Sequence, residues 1–171
     1  MTDGTATGTP YAEDVEVIRV STGEYAIAQY PQVLMTLALG SCVGVALWDP
    51  GLRRGGLAHV MLPTPSDGGR TGSLMRFASE VIPEMAGALV QHTSGRRLVA
   101  KIAGGAAMFR GDSRLAGVGD RNLEEVRKQL LLLRIPILAE DTGGSHARTV
   151  ELHLDTGVMV VRSYKFGIKE L

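Results

Sequence analysis

Hydrophobic and polar positions change their period several times along the chain, and each change marks an element. Val15 to Val20 partly alternates, Ser21 to Glu24 turns, and Tyr25 to Gln29 runs back, which predicts an N-terminal hairpin. Val33 to Leu39 is a further apolar strand. Val43 to Trp48 and Gly56 to Leu62 are short apolar runs separated by Asp49-Pro50-Gly51 and Arg53 to Gly55, the pattern of two antiparallel strands joined by a turn. Pro63 to Ser73, PTPSDGGRTGS, is the clearest loop. Ser73 is placed to cap a helix from Leu74 to about Gln91, with Leu74, Phe77, Val81, Met85, Ala88 and Leu89 on its core face. Pro83 is expected to kink that helix or split it in two. Leu98 to Ala103 is a short strand ending in Gly104-Gly105. Arg110 to Asp120 is a polar loop, after which Asn122 and Glu125, three residues apart, resemble a capping box opening a helix through about Arg134. Leu123, Val126, Leu130 and Leu133 supply its buried stripe. Ile135 to Glu140 returns as a strand, Asp141 to Gly144 turns, and Arg148 to Leu154 with Val158 to Tyr164 form a hairpin across Asp155-Thr156-Gly157.

Strands dominate, two principal helices interrupt them, and no regular βαβ repetition is present. The fold class expected is therefore α/β, a layered sandwich with a mixed, largely antiparallel β-sheet and two principal helices. Residues 1–13, rich in Thr and Gly, have little to bury and are expected to form a disordered tail, leaving 14–171 as a single domain of ordinary size.

Composition narrows the function classes. Hydrophobic residues at 44% and charged residues at 21% are globular values, so a buried core needs no staples. Eighteen basic residues balance eighteen acidic ones, which argues against a nucleic-acid partner or attraction to an anionic membrane. One cysteine makes no internal disulfide and suits a reducing compartment. No apolar run approaches the roughly 20 residues of a membrane span, so a cytoplasmic protein without membrane insertion is expected. Gly104-Gly105 lacks the GxxxxGK[ST] and GxGxxG patterns of phosphate cradles and is read as a tight turn near the site, so no nucleotide or other cofactor is implied. His92, His146 and His153 show no close ligand spacing, and exposed or satisfied histidines, with no metal, are the expectation.

The chemistry concentrates in Thr36 to Pro63, TLALGSCVGVALWDPGLRRGGLAHVMLP. It holds the single cysteine, Cys42, and His59. A lone Cys with a His in reach is a candidate nucleophile and base, because the thiolate attacks and an imidazole generates it. A free Cys is equally at home as a small buried apolar side chain. Gly40 and Ser41 turn the chain just before Cys42, and Gly44 follows two residues later, so backbone near the thiol can approach a ligand without obstruction from Cβ. If the turn is centred near Leu52, His59 pairs close to Val45, leaving Cys42 three residues along and about 10 Å away. A bulge at Gly44 or a curl at Gly40-Ser41 is then needed to unite them.

This stretch resembles the CheD family of chemoreceptor glutamine deamidases. Thr36, Cys42 and His59 fall at the intervals of the family's Cys-His-Thr triad, inside LGSCVGVALWDP and GGLAHVMLP. KIAGGAAMF (Lys101 to Phe109), GDRN (Gly119 to Asn122), IPI (Ile135 to Ile137) and DTGG (Asp141 to Gly144) match in order, so the similarity spans Val15 to Arg162. Asp120 stands where the family is expected to carry Glu, and Ser145-His146-Ala147-Arg148 replaces a Gly-Arg ending; both departures bear on substrate contacts. The resemblance implies hydrolysis of receptor glutamine amides at Cys42, with His59 as base, Thr36 anchoring the imidazole, and backbone around Cys42 (Gly40, Ser41, Gly44) as pocket or oxyanion support. It implies chemoreceptor cytoplasmic helices as the protein substrate. A second role, as a non-catalytic binding partner of a CheC-type phosphatase, follows from the same resemblance. A general cysteine peptidase fits less well, since no peptidase signature surrounds Cys42.

Overall fold

The computed structural model describes residues 15–69, 71–91, 98–109, 111 and 115–171. The expected tail at 1–13, His92 and part of the Arg110 to Asp120 loop lie outside them. Among the described residues ten strands run in chain order: β1 (Val17–Arg19), β2 (Tyr25–Gln29), β3 (Val33–Leu39), β4 (Val43–Asp49), β5 (Arg54–Val60), β6 (Val99–Gly104), β7 (Ile137–Thr142), β8 (Arg148–His153), β9 (Met159–Ser163) and β10 (Gly167–Glu170). They form two five-stranded sheets, β1-β3-β8-β9-β10 and β2-β5-β4-β6-β7. Of these strands, β1 with β3 and β6 with β7 pair in parallel and the other pairs are antiparallel. The helices are a single turn α1 (Pro65–Gly68), then α2 (Ala78–Val90) and α3 (Val118–Leu132).

Alternation in β4 and β5 explains the layering. Val43, Val45, Leu47, Ala58 and Val60 point to one face of the second sheet, where they pack with Val81, Ile82, Met85 and Leu89 of α2 and Val126 and Leu130 of α3. Ala46 and Leu57 point the other way and meet Leu34, Val150, Leu152 and Val161 of the first sheet. The result is a helix layer, a central sheet and an outer sheet, the layered α/β sandwich that the element order predicts.

Several local expectations change, among them Leu74 and Leu133, expected on buried faces but exposed at 39% and 38%. The N-terminal hairpin does not form: β1 runs parallel to β3 in the outer sheet, whereas β2 pairs with β5 in the central one, so Ser21 to Glu24 is a crossover between layers. Ser73 caps a short 3₁₀ turn, Leu74–Arg76, by accepting from the Met75 N–H, and α2 starts only at Ala78. Pro83 lies inside an unbroken α2. The one i→i−4 bond it removes is to Ser79, half-exposed in the first turn, where the loss is smallest. The helix expected to open at Asn122 begins at Val118, behind Gly117 in left-handed conformation (φ 70°), so Asn122 is interior and fully buried. The capping-box spacing was coincidental, and the Asn122 amide serves a tertiary contact instead.

Candidate active site

His59 belongs to β5 and pairs with Gly44 of β4. That register differs by one residue from the expected Val45, and one residue decides the face. Cys42 stands two positions before Gly44, an even step, and packs with the cluster between the two sheets, the side to which His59 also projects. Gly44, opposite His59, carries no side chain, and a Cβ there would press on Leu39 Cδ1 at 2.9 Å and Val150 Cγ2 at 3.3 Å. Its smallness therefore serves the close approach of the two sheets.

Thr36 comes from the outer sheet. Its Oγ1 lies 2.7 Å from His59 Nδ1 and 2.7 Å from the Val20 carbonyl oxygen. A hydroxyl has one proton, and a carbonyl can only accept, so that proton goes to Val20 and Oγ1 must accept from His59 Nδ1–H. This fixes the tautomer. Nε2 is left with the lone pair, and it is buried with no hydrogen-bond partner among the described residues. Val20 sits on the crossover between layers, whose next residues also hold β5: the Gly23 N–H donates to the His59 carbonyl at 3.0 Å and the His59 N–H donates to Glu24 at 2.9 Å.

The irregularity that shapes this region lies in β3. The β3–β8 register shifts between Thr36 and Leu39, and Ala38 adopts a positive φ of 56°. Thr36 reaches His59 and Leu39 packs in the cluster between the sheets although they are three residues apart, so both face the central sheet, which regular alternation does not give and an extra residue allows. The sequence suggested a bulge at Gly44 or a curl at Gly40-Ser41; the bulge precedes both.

Burial sets the charge state. It pushes the Cys42 thiol above its ordinary pKa and pulls the His59 imidazole down to about 4. Near neutrality the pair rests as thiol and neutral imidazole, with no hydrogen bond between them. An imidazole with a free Nε2 lone pair is equipped to take a proton during attack, not to hold one beforehand. His146 lies edge-on to Phe166 with ring centroids 4.7 Å apart, and His153 Nε2 is 3.5 Å from Glu151, so neither approaches this region through a described contact.

Known proteins bear on this arrangement at two levels. The family profile described as CheD chemotactic sensory transduction matches residues 61–163. A probable chemoreceptor glutamine deamidase CheD 2 of Geobacter metallireducens is 42% identical over 91% of this chain and 99% of its own length. The chemoreceptor glutamine deamidase CheD of Thermotoga maritima is 43% identical over 89% of this chain and 98% of its own, and the probable enzyme of Moorella thermoacetica is 43% identical over 85% and 90%. The chain belongs to the CheD family. The profile match begins two residues after His59, so the CheD motifs downstream are what it covers, and these turn out to surround the cysteine.

Gly104 and Gly105, from KIAGGAAMF, have φ of 106° and 68°, and a Cβ on Gly104 would fall on the Cys42 carbonyl oxygen. The Gly105 N–H donates to the Cys42 carbonyl and the Ala106 N–H to Gly40, each at 2.8 Å. Gly143 and Gly144, from DTGG, brace that turn through Gly143 N–H to Gly104 at 2.9 Å and Ala107 N–H to Gly144 at 2.8 Å. Asn122, from GDRN, donates through Nδ2 to the Ser41 carbonyl at 3.0 Å and to Met61 at 3.1 Å. Sequence reasoning missed Asn122 as a site residue; the available signal was its place in a matched motif. The carbonyls of Gly40, Ser41 and Cys42 are thus all engaged, whereas their three N–H groups donate to nothing among the described residues. No helix of the described residues is long and apolar enough to cross a membrane.

Proposed function

We propose that this protein hydrolyses glutamine side-chain amides in the cytoplasmic helices of chemoreceptors, giving glutamate and ammonia through a thioester on Cys42. The observation that carries the reading is the Thr36–His59 pair, which leaves Nε2 unprotonated and unpartnered on the cysteine's side of the central sheet. His59 Nε2 takes the proton from Cys42 as sulfur attacks the carboxamide carbon, and the imidazolium returns that proton to nitrogen as the C–N bond breaks. Ammonia leaves and a thioester remains. Water, losing a proton to the same Nε2, attacks the thioester carbon; the C–S bond breaks, the thiol is restored, and a carboxylate is released. The N–H groups of Gly40, Ser41 and Cys42, which donate to nothing among the described residues, suit the transient oxyanion, while Gly44, paired on both sides within β4, supports the fold beneath it. Glutamyl methyl esters, easier acyl compounds, are expected to react at the same thiol.

Exposed Met61 and Met108 suit docking of a helical protein substrate: Met61 is tied to Ser41 through Asn122, and Met108 lies against Gly40. The test is incubation with receptor cytoplasmic fragments and peptide mapping. Gln-to-Glu conversion, about one dalton per site without backbone cleavage, is expected for the native chain and absent with His59→Ala. No conversion in any receptor fragment would favour the other role, docking onto a CheC-type phosphatase, which Cys42→Ala should retain.

A further inference from the structure

The geometry points to Asn122 as the positioning residue that turns the Cys42 N–H toward the reacting carbonyl. The inference rests on the reading of Cys42 as nucleophile and deepens it. A trans peptide is planar, so the C=O of Ser41 and the N–H of Cys42 point in opposite directions. Whatever holds that carbonyl therefore aims that N–H. Backbone N–H groups hold the carbonyls on either side, from Ala106 to Gly40 and from Gly105 to Cys42. The Ser41 carbonyl alone depends on a side chain, Asn122 Nδ2 at 3.0 Å. The second Nδ2 proton goes to Met61 at 3.1 Å, two residues beyond His59, so one amide ties the cysteine segment to the end of the histidine strand.

Asn122 is well placed to hold this position without drift. It is fully buried on α3, and two tight approaches fix that helix against the turn beside Cys42. A Cβ on Gly119 would meet Ala106 O at 2.6 Å and Gly105 O at 2.7 Å, and one on Gly105 would meet Leu123 Cγ at 2.5 Å. Both Nδ2 contacts are to carbonyl oxygens, so the amide orientation is unambiguous and its donors are fully used. Without them the Ser41–Cys42 peptide loses the one hydrogen bond it makes among the described residues and can rotate between its two held neighbours, and the N–H no longer faces a developing oxyanion. An oxyanion donor lost or misaimed costs roughly a hundred- to a thousandfold in kcat.

Oxyanion support matters for acyl transfer and not for alkylation, where no oxyanion forms, and this separates positioning from mere scaffolding. Asn122→Ala and Asn122→Ser are compared with the native chain in receptor deamidation and in Cys42 alkylation by iodoacetamide across pH, with thermal melts alongside. The expected result is a kcat at least about tenfold lower for Asn122→Ala, a smaller loss for Asn122→Ser, whose hydroxyl keeps one donor, KM unchanged within about twofold, and an unaltered alkylation profile. Unchanged kcat in a folded variant, parallel losses in turnover and alkylation, or collapse of both variants would overturn the inference. Cys42→Ala run in the same assay keeps the two levels apart: if it still deamidates, the nucleophile reading fails; if it is dead while Asn122→Ala turns over normally, only the role of Asn122 fails.

Discussion

The two nitrogens of His59 have different surroundings, and a single threonine hydroxyl sets them apart. Thr36 spends its proton on Val20 and so receives Nδ1–H, which leaves the lone pair on Nε2, the proposed base. Thr36→Val keeps the shape but removes the acceptor, leaving a buried Nδ1–H and the Val20 carbonyl unpaired. The expected outcome is a loss of about 1–3 kcal/mol in urea unfolding and a kcat lowered on the order of ten- to a hundredfold, with Thr36→Ser retaining most of both. The pH dependence follows from burial. With the folded-state pKa of His59 lowered from 6.5 to about 4, the imidazole is neutral and competent throughout pH 5 to 8. The acid limb of kcat/KM should therefore lie near pH 4; a limb near 6.5 would show an exposed histidine acting instead. Stability follows the same sign: the contribution from neutral His59 is complete above pH 6.5 and is lost as pH falls toward 4.

At the scale of elements, close backbone approach organises the site. The strands were legible because β-branched and apolar residues alternate, and the hairpins β4–β5 and β8–β9 have strong turn residues between them. Register was not legible to one residue. Hydrophobic alternation in β4 and β5 is blurred because both faces are buried, and so the pattern places His59 close to Val45 where the structure pairs it with Gly44. The N-terminal hairpin failed for a related reason: Val15 to Gln29 has the local pattern of paired strands, but each half finds a better partner in a different sheet. Asn122 and Glu125 imitate a helix start because the same small amide that caps a helix can bind two tertiary carbonyls. Gly119→Ala tests the element-level account. Its Cβ would meet two backbone oxygens that cannot rotate away, so α3 must retreat from the Gly105-Ala106 turn. A stability loss of about 1–3 kcal/mol by urea unfolding is expected, together with reduced deamidation; Gly87→Ala, where nothing lies within 4 Å of the added carbon, should leave turnover as it is.

Across the whole molecule, the proposed site depends on two sheets that face each other. Thr36 stands on the outer sheet, His59 on the central one, and the cysteine segment is held from the far side by loops after β6 and β7 and by α3. Separate motifs scattered over the chain make sense only once the layers are stacked, which is why periodicity placed the elements and the family resemblance was needed to group Thr36, Cys42 and His59. In the proposed reaction Cys42 carries the acyl group. The most direct test is rapid acid quench of the protein with a receptor peptide, followed by intact-mass analysis of the protein. The account predicts an adduct on Cys42 equal to the peptide mass less ammonia, labile to hydroxylamine and absent in Cys42→Ala. Undiminished Gln-to-Glu conversion by Cys42→Ala would contradict it.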